Sequence, residues 1–261
     1  MSAPASPAAT SSRTAEKHEQ EVRKAYRQYL DAGWKPVLLY KGRKRPVGND
    51  WLEKPAPELE DFVGHANIGR ANGAKSNGHI DIDIDSDELL PFAEHFLPAT
   101  PAKFGRYYGK PQQSLSHYLY HCPDFDKSYV LKLGTKTILE IRSNGGQTVF
   151  PPSFIYDDDL RDLDLVCWNG GPKAPLPNLA DIPTISAEKI KADINLYAVS
   201  VLVAKHFHKG GFHDGMLSWA GMLAKAGYSE EDTLKSTIFI AEQSGQEDIQ
   251  DRINGVVTTY R

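Results

Sequence analysis

Apolar side chains along these 261 residues recur first at helical spacing, then with the alternation of strands, then at helical spacing again. Val22, Ala25, Tyr26, Tyr29 and Leu30 mark one amphipathic helix, which Gly33 closes as a left-handed cap. Pro36 to Tyr40 is a short apolar run that reads as a buried strand. Asn67 to Arg70 and Ile80 to Asp85 follow as strands, divided by a turn cluster of Gly, Asn and Ser. Ser86 reads as a helix cap and Pro91 suits a first turn, so a helix carrying Phe92 and Phe96, and with it a βα unit, is expected. Leu115 to Cys122, Tyr129 to Leu133 and Ile138 to Arg142 alternate again, and Asn144-Gly145 predicts a hairpin into Thr148 to Phe150.

Two stretches break the pattern. Met1 to Thr14 is Ala, Ser, Pro and Thr with almost no large apolar residue, which cannot offset the entropy of ordering, and a disordered tail is expected. Asn169 to Pro183 holds Pro172, Pro175, Pro177 and Pro183 with two glycines and resists regular structure. Beyond it Ser186 caps a helix through about Phe207, and Met216, Trp219, Ala220 and Leu223 mark a second that stops at Gly227. Ser229 with Asp232 resembles a capping box before Leu234, Ile238 and Ile240, and Ile249, Ile253, Val256 and Val257 mark a fourth helix. The expected organisation is a tail at 1–14, an α+β domain at 15–168 with a mixed or antiparallel sheet and flanking helices, a Pro-rich linker at 169–185, and a small all-α bundle at 186–261.

As a strand, Ile80 to Asp85 puts Asp81, Asp83 and Asp85 on one face and Ile80, Ile82 and Ile84 on the other. Asp is depleted in strands and like charges repel, so three carboxylates require a cation or solvent. A divalent-metal site and a solvated or edge-strand face are the two readings this segment allows. Glu140, flanked by Leu139 and Ile141, needs a partner, because an unpaired buried carboxylate is destabilising. Arg142 on the same face is one candidate; two hard cations shared with Asp83 and Asp85 are the other. His117 reads either as structural or as a phosphate contact. His117 and His121 are about 13 Å apart on a strand, too far to share one zinc ion. Asp157, Asp158, Asp159, Asp162 and Asp164 lack the glycine and spaced ligands of an EF-hand and read as a solvated loop.

Composition narrows the classes only slightly. Hydrophobic residues at 40% and charged residues at 25% exclude a disordered chain. Cys122 and Cys167 are too few for a disulfide framework or a four-cysteine zinc site. No apolar run spans a bilayer and the N-terminus lacks a secretory pattern, so a cytoplasmic protein with no membrane partner is expected. A net charge of −4 leaves nucleic acid open, since basic patches coexist with acidic sites. Lys41, Arg43, Lys44 and Arg45 read as a solvated loop or, with Lys103, Arg106 and Lys110, as a basic set that could steer phosphates. The chain has neither a phosphate-binding P-loop nor a Gly-x-Ser-x-Gly elbow.

Five segments in order, KRPVGNDW (Lys44 to Trp51), ANIGRANG (Ala66 to Gly73), GHIDIDIDS (Gly78 to Ser86), SLSHYLY (Ser114 to Tyr120) and LEIRSNGGQTVFPPS (Leu139 to Ser153), resemble the bifunctional primase-polymerase domains of the archaeo-eukaryotic primase superfamily, found on plasmids, phages and integrated elements. The resemblance covers roughly Gly33 to Trp168. It implies that Asp83 and Asp85 end the first motif and that Glu140 supplies the third acidic ligand, the three holding two Mg2+ or Mn2+ ions. It also implies that His117 holds the incoming triphosphate, with Arg142, Ser116 and Ser153 beside it, while Asp81 is an extra residue. Relatives often carry Ser where this chain has Leu115, and a histidine soon after the Pro-Pro-Ser turn where this chain has Phe154 and Ile155. Gly211 to Arg261 is more loosely similar to the helical primase C-terminal domain that usually precedes a helicase. The implied activity is template-dependent making or extension of primers on single-stranded DNA from NTP or dNTP. A replication-initiation or DNA-binding module of the same fold and a metal-dependent nuclease are the alternatives.

Overall fold

The computed structural model describes residues 7–53, 58, 67–107, 114–156, 163–207, 212–245 and 248–261; Lys110, Gly211 and the acidic run at 157–162 lie outside these. In chain order the elements are α1 (Pro7–Asp31), β1 (Pro36–Leu39), β2 (Asn67–Ala71), β3 (His79–Ile84), α2 (Ala93–Phe96), β4 (Lys103–Tyr107), β5 (Ser114–His121), β6 (Tyr129–Leu133), β7 (Lys136–Arg142), β8 (Gln147–Phe150), β9 (Phe154–Tyr156), β10 (Leu163–Trp168), α3 (Ala187–His206), α4 (Phe212–Lys225), α5 (Glu230–Gln243) and α6 (Ile249–Thr259). The class is α+β, as the alternation predicts. The strand pairs are antiparallel, in a three-stranded sheet ordered β1-β2-β8 and a seven-stranded sheet ordered β6-β7-β3-β5-β4-β10-β9.

The chain divides into two compact units, Met1–Asp85 with Ala99–Ala187, and Ser86–Pro98 with Glu188–Arg261. In the first, Trp34, Leu39, Ile68, Phe104, Leu119, Phe150 and Trp168 form the core with Tyr26 and Tyr29 of α1. Phe150 meets Trp34, Phe104 and Trp168 edge to face at centroid distances of 5.1 to 5.4 Å, the arrangement that ring quadrupoles favour. In the second unit, Ser200 and Ser236 share a hydrogen bond of 2.7 Å and Trp219 donates to Ser236 at 3.1 Å. Ser229 caps α5 by accepting from the Asp232 N–H, as the capping-box pattern predicts. Among the described residues no helix is long and apolar enough to cross a membrane.

Several local expectations are corrected. The first helix begins at Pro7 rather than after a tail ending at Thr14; once a helix is nucleated each added residue gains a hydrogen bond, and Ala8, Ala9 and Arg13 are good helix formers. Strand β3 is neither solvated nor at an edge: it lies between β7 and β5, and all six of its residues are buried. The Asn144-Gly145 turn closes no hairpin, because β7 and β8 belong to different sheets. The Asn144 side chain instead accepts from the Ala74 N–H at 2.6 Å, tying the turn to the loop before β3. Strands β4, β9 and β10 have no counterpart in the expected elements. The βα unit is also absent: Leu90–Phe92 and Ala93–Phe96 are single turns. Their segment belongs to the second unit, where Phe92 and Phe96 meet Phe239 at 5.0 and 4.9 Å and the Tyr197 hydroxyl donates to the Leu89 carbonyl. The Pro-rich stretch falls in the first unit, with Ile182 in its core and Leu176 and Leu179 packed against it.

Gly105 sits where the β4–β5 register shifts, and a Cβ there would be driven into the Ser114 carbonyl. Gly105→Ala should therefore lose about 1–3 kcal/mol of stability, as overpacking does; a urea midpoint equal to wild type would refute that close approach. A chain cut after Ala187 loses the Tyr197 and Phe239 partners of Phe92 and Phe96. It should bind a dye that fluoresces on apolar surface, and Phe92→Ser with Phe96→Ser should remove the signal; a dye-silent truncation would show that the segment needs no such cover.

Candidate active site

Register around β3 decides which side chains meet. Asp83 stands opposite His117 on β5 and Glu140 on β7, while Asp81 stands opposite Leu119 and Arg142. Alternation gathers Asp81, Asp83, His117, Glu140 and Arg142 on one face and leaves Ile80 and Ile82, fully buried, on the other. Asp85 follows directly, its N–H bonded to the Ile138 carbonyl at 3.1 Å.

Arg142 lies among the carboxylates. Its guanidinium is paired with Asp83, donates from Nε to Glu140 at 3.0 Å, and has Nη1 3.9 Å from Asp81. Burial works against its charge, but Asp83, Asp81 and Glu140 together raise its pKa. Asp81 is fully buried and accepts from the Thr148 hydroxyl at 2.6 Å, with His117 Nδ1 at 3.1 Å. Burial alone would raise its pKa; His117, Arg142 and the Thr148 hydrogen bond hold the carboxyl below the ordinary value. His117 answers in the opposite sense: burial disfavours its charge, yet Asp83 and Asp81 raise its pKa. Its ring stacks on Phe104 at 4.7 Å and 9°, and its Nε2 lies 3.6 Å from an Asp83 oxygen. Asp81 is thus the residue that orients His117, and the third aspartate of the alternating run was its only sequence signal.

Arg70 on β2 is a further participant that the sequence did not single out. It is 1% exposed, stacks over Trp34 at 5.1 Å, and has neither Nε nor Nη1 hydrogen-bonded. Burial lowers its pKa to about 9 against the pull of Asp81. The Thr148 hydroxyl that reaches Asp81 is itself held by Asn72 at 3.0 Å. The short β2–β8 pairing, which aligns Arg70 with Thr148, brings both to the seam.

The other candidate residues divide. Ser153 is fully buried, and its hydroxyl accepts from the Ile68 N–H and donates to the Ile68 carbonyl, so it fixes β2 rather than facing the carboxylates. Ser116 is passed over where the register jumps from Leu115–Gly105 to His117–Phe104. In the basic loop, Tyr40 donates to the Arg45 carbonyl, Asn67 to that of Arg43 and Gln147 to that of Lys44 at 2.5 Å. The side chains of Lys41, Arg43, Lys44 and Arg45 are exposed. Although Lys44 is exposed as a whole, partial desolvation by the surrounding protein and the charge of Arg106 lower its pKa against Asp83 and Asp85, so Lys44 stands within electrostatic reach of the acidic face. Lys103 opens β4, and Arg106 on the same strand pairs with Asp164 at 3.3 Å.

Donor chemistry on this face suits hard cations. Asp83, Asp85 and Glu140 offer only carboxylate oxygen, and the Asp85 pKa is raised by burial and then by Asp83 and Glu140 against the opposing charges of Arg142 and Lys44. Among the described residues no three such side chains are already gathered into a cage for an ion; Arg142 supplies the positive charge instead.

Residues 26–181 match the family model described as bifunctional DNA primase/polymerase, N-terminal, a span of more than half the chain. No curated protein matches the chain.

The Asp81–His117 pair sets a pH dependence. The raised His117 pKa contributes stability that is complete below the unfolded imidazole value of about 6.5 and is lost as pH rises through the folded value. The lowered Asp81 pKa contributes stability present above about 3.9 and lost as pH falls through the depressed value. In chelator-containing buffer, Asp81→Asn should lower the His117 pKa read by NMR and flatten the decline in stability above about pH 6.5. An unchanged His117 titration would show that Asp81 does not hold it.

Proposed function

This chain belongs to the bifunctional DNA primase/polymerase family, and from that membership with the geometry of β3, β5 and β7 we propose that it is a template-dependent nucleotidyltransferase that makes or extends primers. The observation that carries this reading is the Asp83–Glu140–His117 register: two carboxylates and an imidazole of raised pKa share one face, with Asp85 beside them.

Asp83, Asp85 and Glu140 are the residues that would hold Mg2+ or Mn2+, which when bound supplies charge neutralisation and an activated 3′-hydroxyl. Arg142 already lies on Asp83 and Glu140; as an obligate cation it can exchange carboxylate oxygens for phosphate oxygens of an incoming nucleotide. His117, held by Asp81 through Nδ1, has its Nε2 toward Asp83 and is 18% exposed, enough for a phosphate oxygen to reach its edge. Lys44, with Lys41, Arg43 and Arg45 on an anchored loop, carries charge for template or triphosphate. The family membership and the histidine favour this over a nuclease, and the intact acidic set favours it over a module that only binds DNA.

The decisive measurement is primer synthesis and extension on single-stranded DNA with labelled NTP and dNTP. Asp83→Asn should lose several kcal/mol of transition-state stabilisation, on the order of a thousandfold in rate, read below its own melting temperature, which should fall because Arg142 and His117 lose a buried partner. Wild-type incorporation by that variant would move the assignment to a binding module. Lys44→Ala should reduce the salt slope of DNA binding by about 1 if it contacts a template phosphate; an unchanged slope with a raised nucleotide KM would assign it to the triphosphate.

A further inference from the structure

His79 and His121 stand opposite each other on β3 and β5, on the same side of the sheet as Asp81 but toward the other end of the strand from Asp83. His121 donates its N–H to the Pro183 carbonyl at 3.0 Å and accepts from the Ile185 N–H at 2.9 Å, while the His79 carbonyl accepts from Gly73 at 2.7 Å. Both backbones bond away from each other. The two therefore form a non-hydrogen-bonded pair, the register in which cross-strand side chains approach most closely. Their rings lie 5.1 Å apart at 53°.

One nitrogen of each ring is already committed. His79 Nδ1 lies 2.7 Å from the Ser76 carbonyl, which can only accept, so Nδ1 carries the proton and Nε2 the lone pair. His121 Nδ1 meets the Thr184 hydroxyl at 2.9 Å, which leaves its Nε2 as the other candidate donor. Metal-ligating histidines are held in this way, with the second ring nitrogen bonded to a carbonyl or comparable oxygen. We infer that His79 and His121 form a two-imidazole site for a borderline divalent transition ion of the zinc class, on the same face as Asp83, Asp85 and Glu140 but separate from that carboxylate cluster. Imidazole nitrogen selects such ions over Mg2+ and Mn2+, which prefer oxygen. Among the described residues no third His, Cys, Asp or Glu completes a cage, so water fills the remaining positions and binding is exchangeable. The ring of His79 is held neutral by burial and by the Arg70 charge, which also limits affinity for a cation. An ion here would join the start of β3 to β5 and, through Thr184, to the Pro-rich stretch.

The test is calorimetric titration of the full chain with Zn2+ in a large excess of Mg2+, which occupies hard oxygen sites. One Zn2+ per chain is expected, with a Zn2+-dependent rise in melting temperature. His121→Gln should weaken uptake by about tenfold or more, and Thr184→Val, at an exposed hydroxyl, should do so in the same direction. Asp83→Asn should leave it unchanged. Melting in chelator shows whether each variant folds, and Thr184→Val carries the test if His121→Gln does not. Absence of Zn2+ uptake, uptake that survives a folded His121→Gln, uptake insensitive to Thr184→Val where His121→Gln is unfolded, or uptake lost in Asp83→Asn would overturn the assignment. None of these readouts depends on nucleotide incorporation, so failure here leaves the polymerase reading standing, and the reverse holds.

Discussion

Negative charge on a strand buried on both sides is the constraint from which most of the first unit follows. Taking a carboxylate out of water costs several kcal/mol even after relaxation, and Asp81 is fully buried with Asp83 only 6% exposed. A central strand can carry them only if its neighbours bring compensation in register. β5 brings His117 and β7 brings Arg142, each two residues or fewer from the aspartate it serves. The three-stranded sheet adds Thr148 and, behind it, Asn72 and Arg70. A one-residue slip of β5 would turn His117, and one of β7 would turn Glu140 and Arg142, to the isoleucine side. Charge compensation and register are therefore one requirement.

That requirement explains why the site is built before any substrate arrives. The carboxylates raise the pKa of Arg142 and His117 and so favour their charged forms, and these two in turn lower that of Asp81. The groups are mutually fixed, so little reorganisation remains to be done when phosphate charge enters. Asp85 is the exception: it lies past the end of β3, and burial with Asp83 and Glu140 raises its pKa. The acidic face is compensated at its buried end and undercompensated at its open end. A cation or a cationic side chain is drawn to the latter, and the anchored loop bearing Lys44 stands within reach.

Much of this was legible in the sequence where the period was short and the chemistry unusual. The β3 alternation fixed which three aspartates share a face, and Glu140 with Arg142 followed from the same rule on β7. The functions of Asp81 and Arg70 were not legible, because both depend on which strand lies beside which, and periodicity says nothing about strand order. The Asn144-Gly145 dipeptide misled for a related reason: it specifies a tight turn but not that the chain leaves one sheet for another, where the Asn144–Ala74 and Asn72–Gly146 bonds and the β2–β8 ladder hold it. Ser153 looked like a substrate contact because of its motif, whereas its hydroxyl is used within the fold by the Ile68 peptide groups. The four helices after the Pro-rich stretch lie where their periods put them, the first matching both expected ends and the third its Ser229 cap, since caps and periods are local.

The division of the chain carries a last consequence for the site. Asp85 is the final residue of the first segment of one unit and Ser86 the first residue of the other, so a single peptide bond separates a candidate ligand from the helical unit. Glu140 and His117 have no such connection; they are fixed by ladders on both sides within the seven-stranded sheet. Asp83, Glu140 and His117 are held by backbone ladders on both sides, while Asp85, past the end of β3, keeps the bond from its N–H to the Ile138 carbonyl. Asp85 thus carries its raised pKa at the point where strand β3 ends.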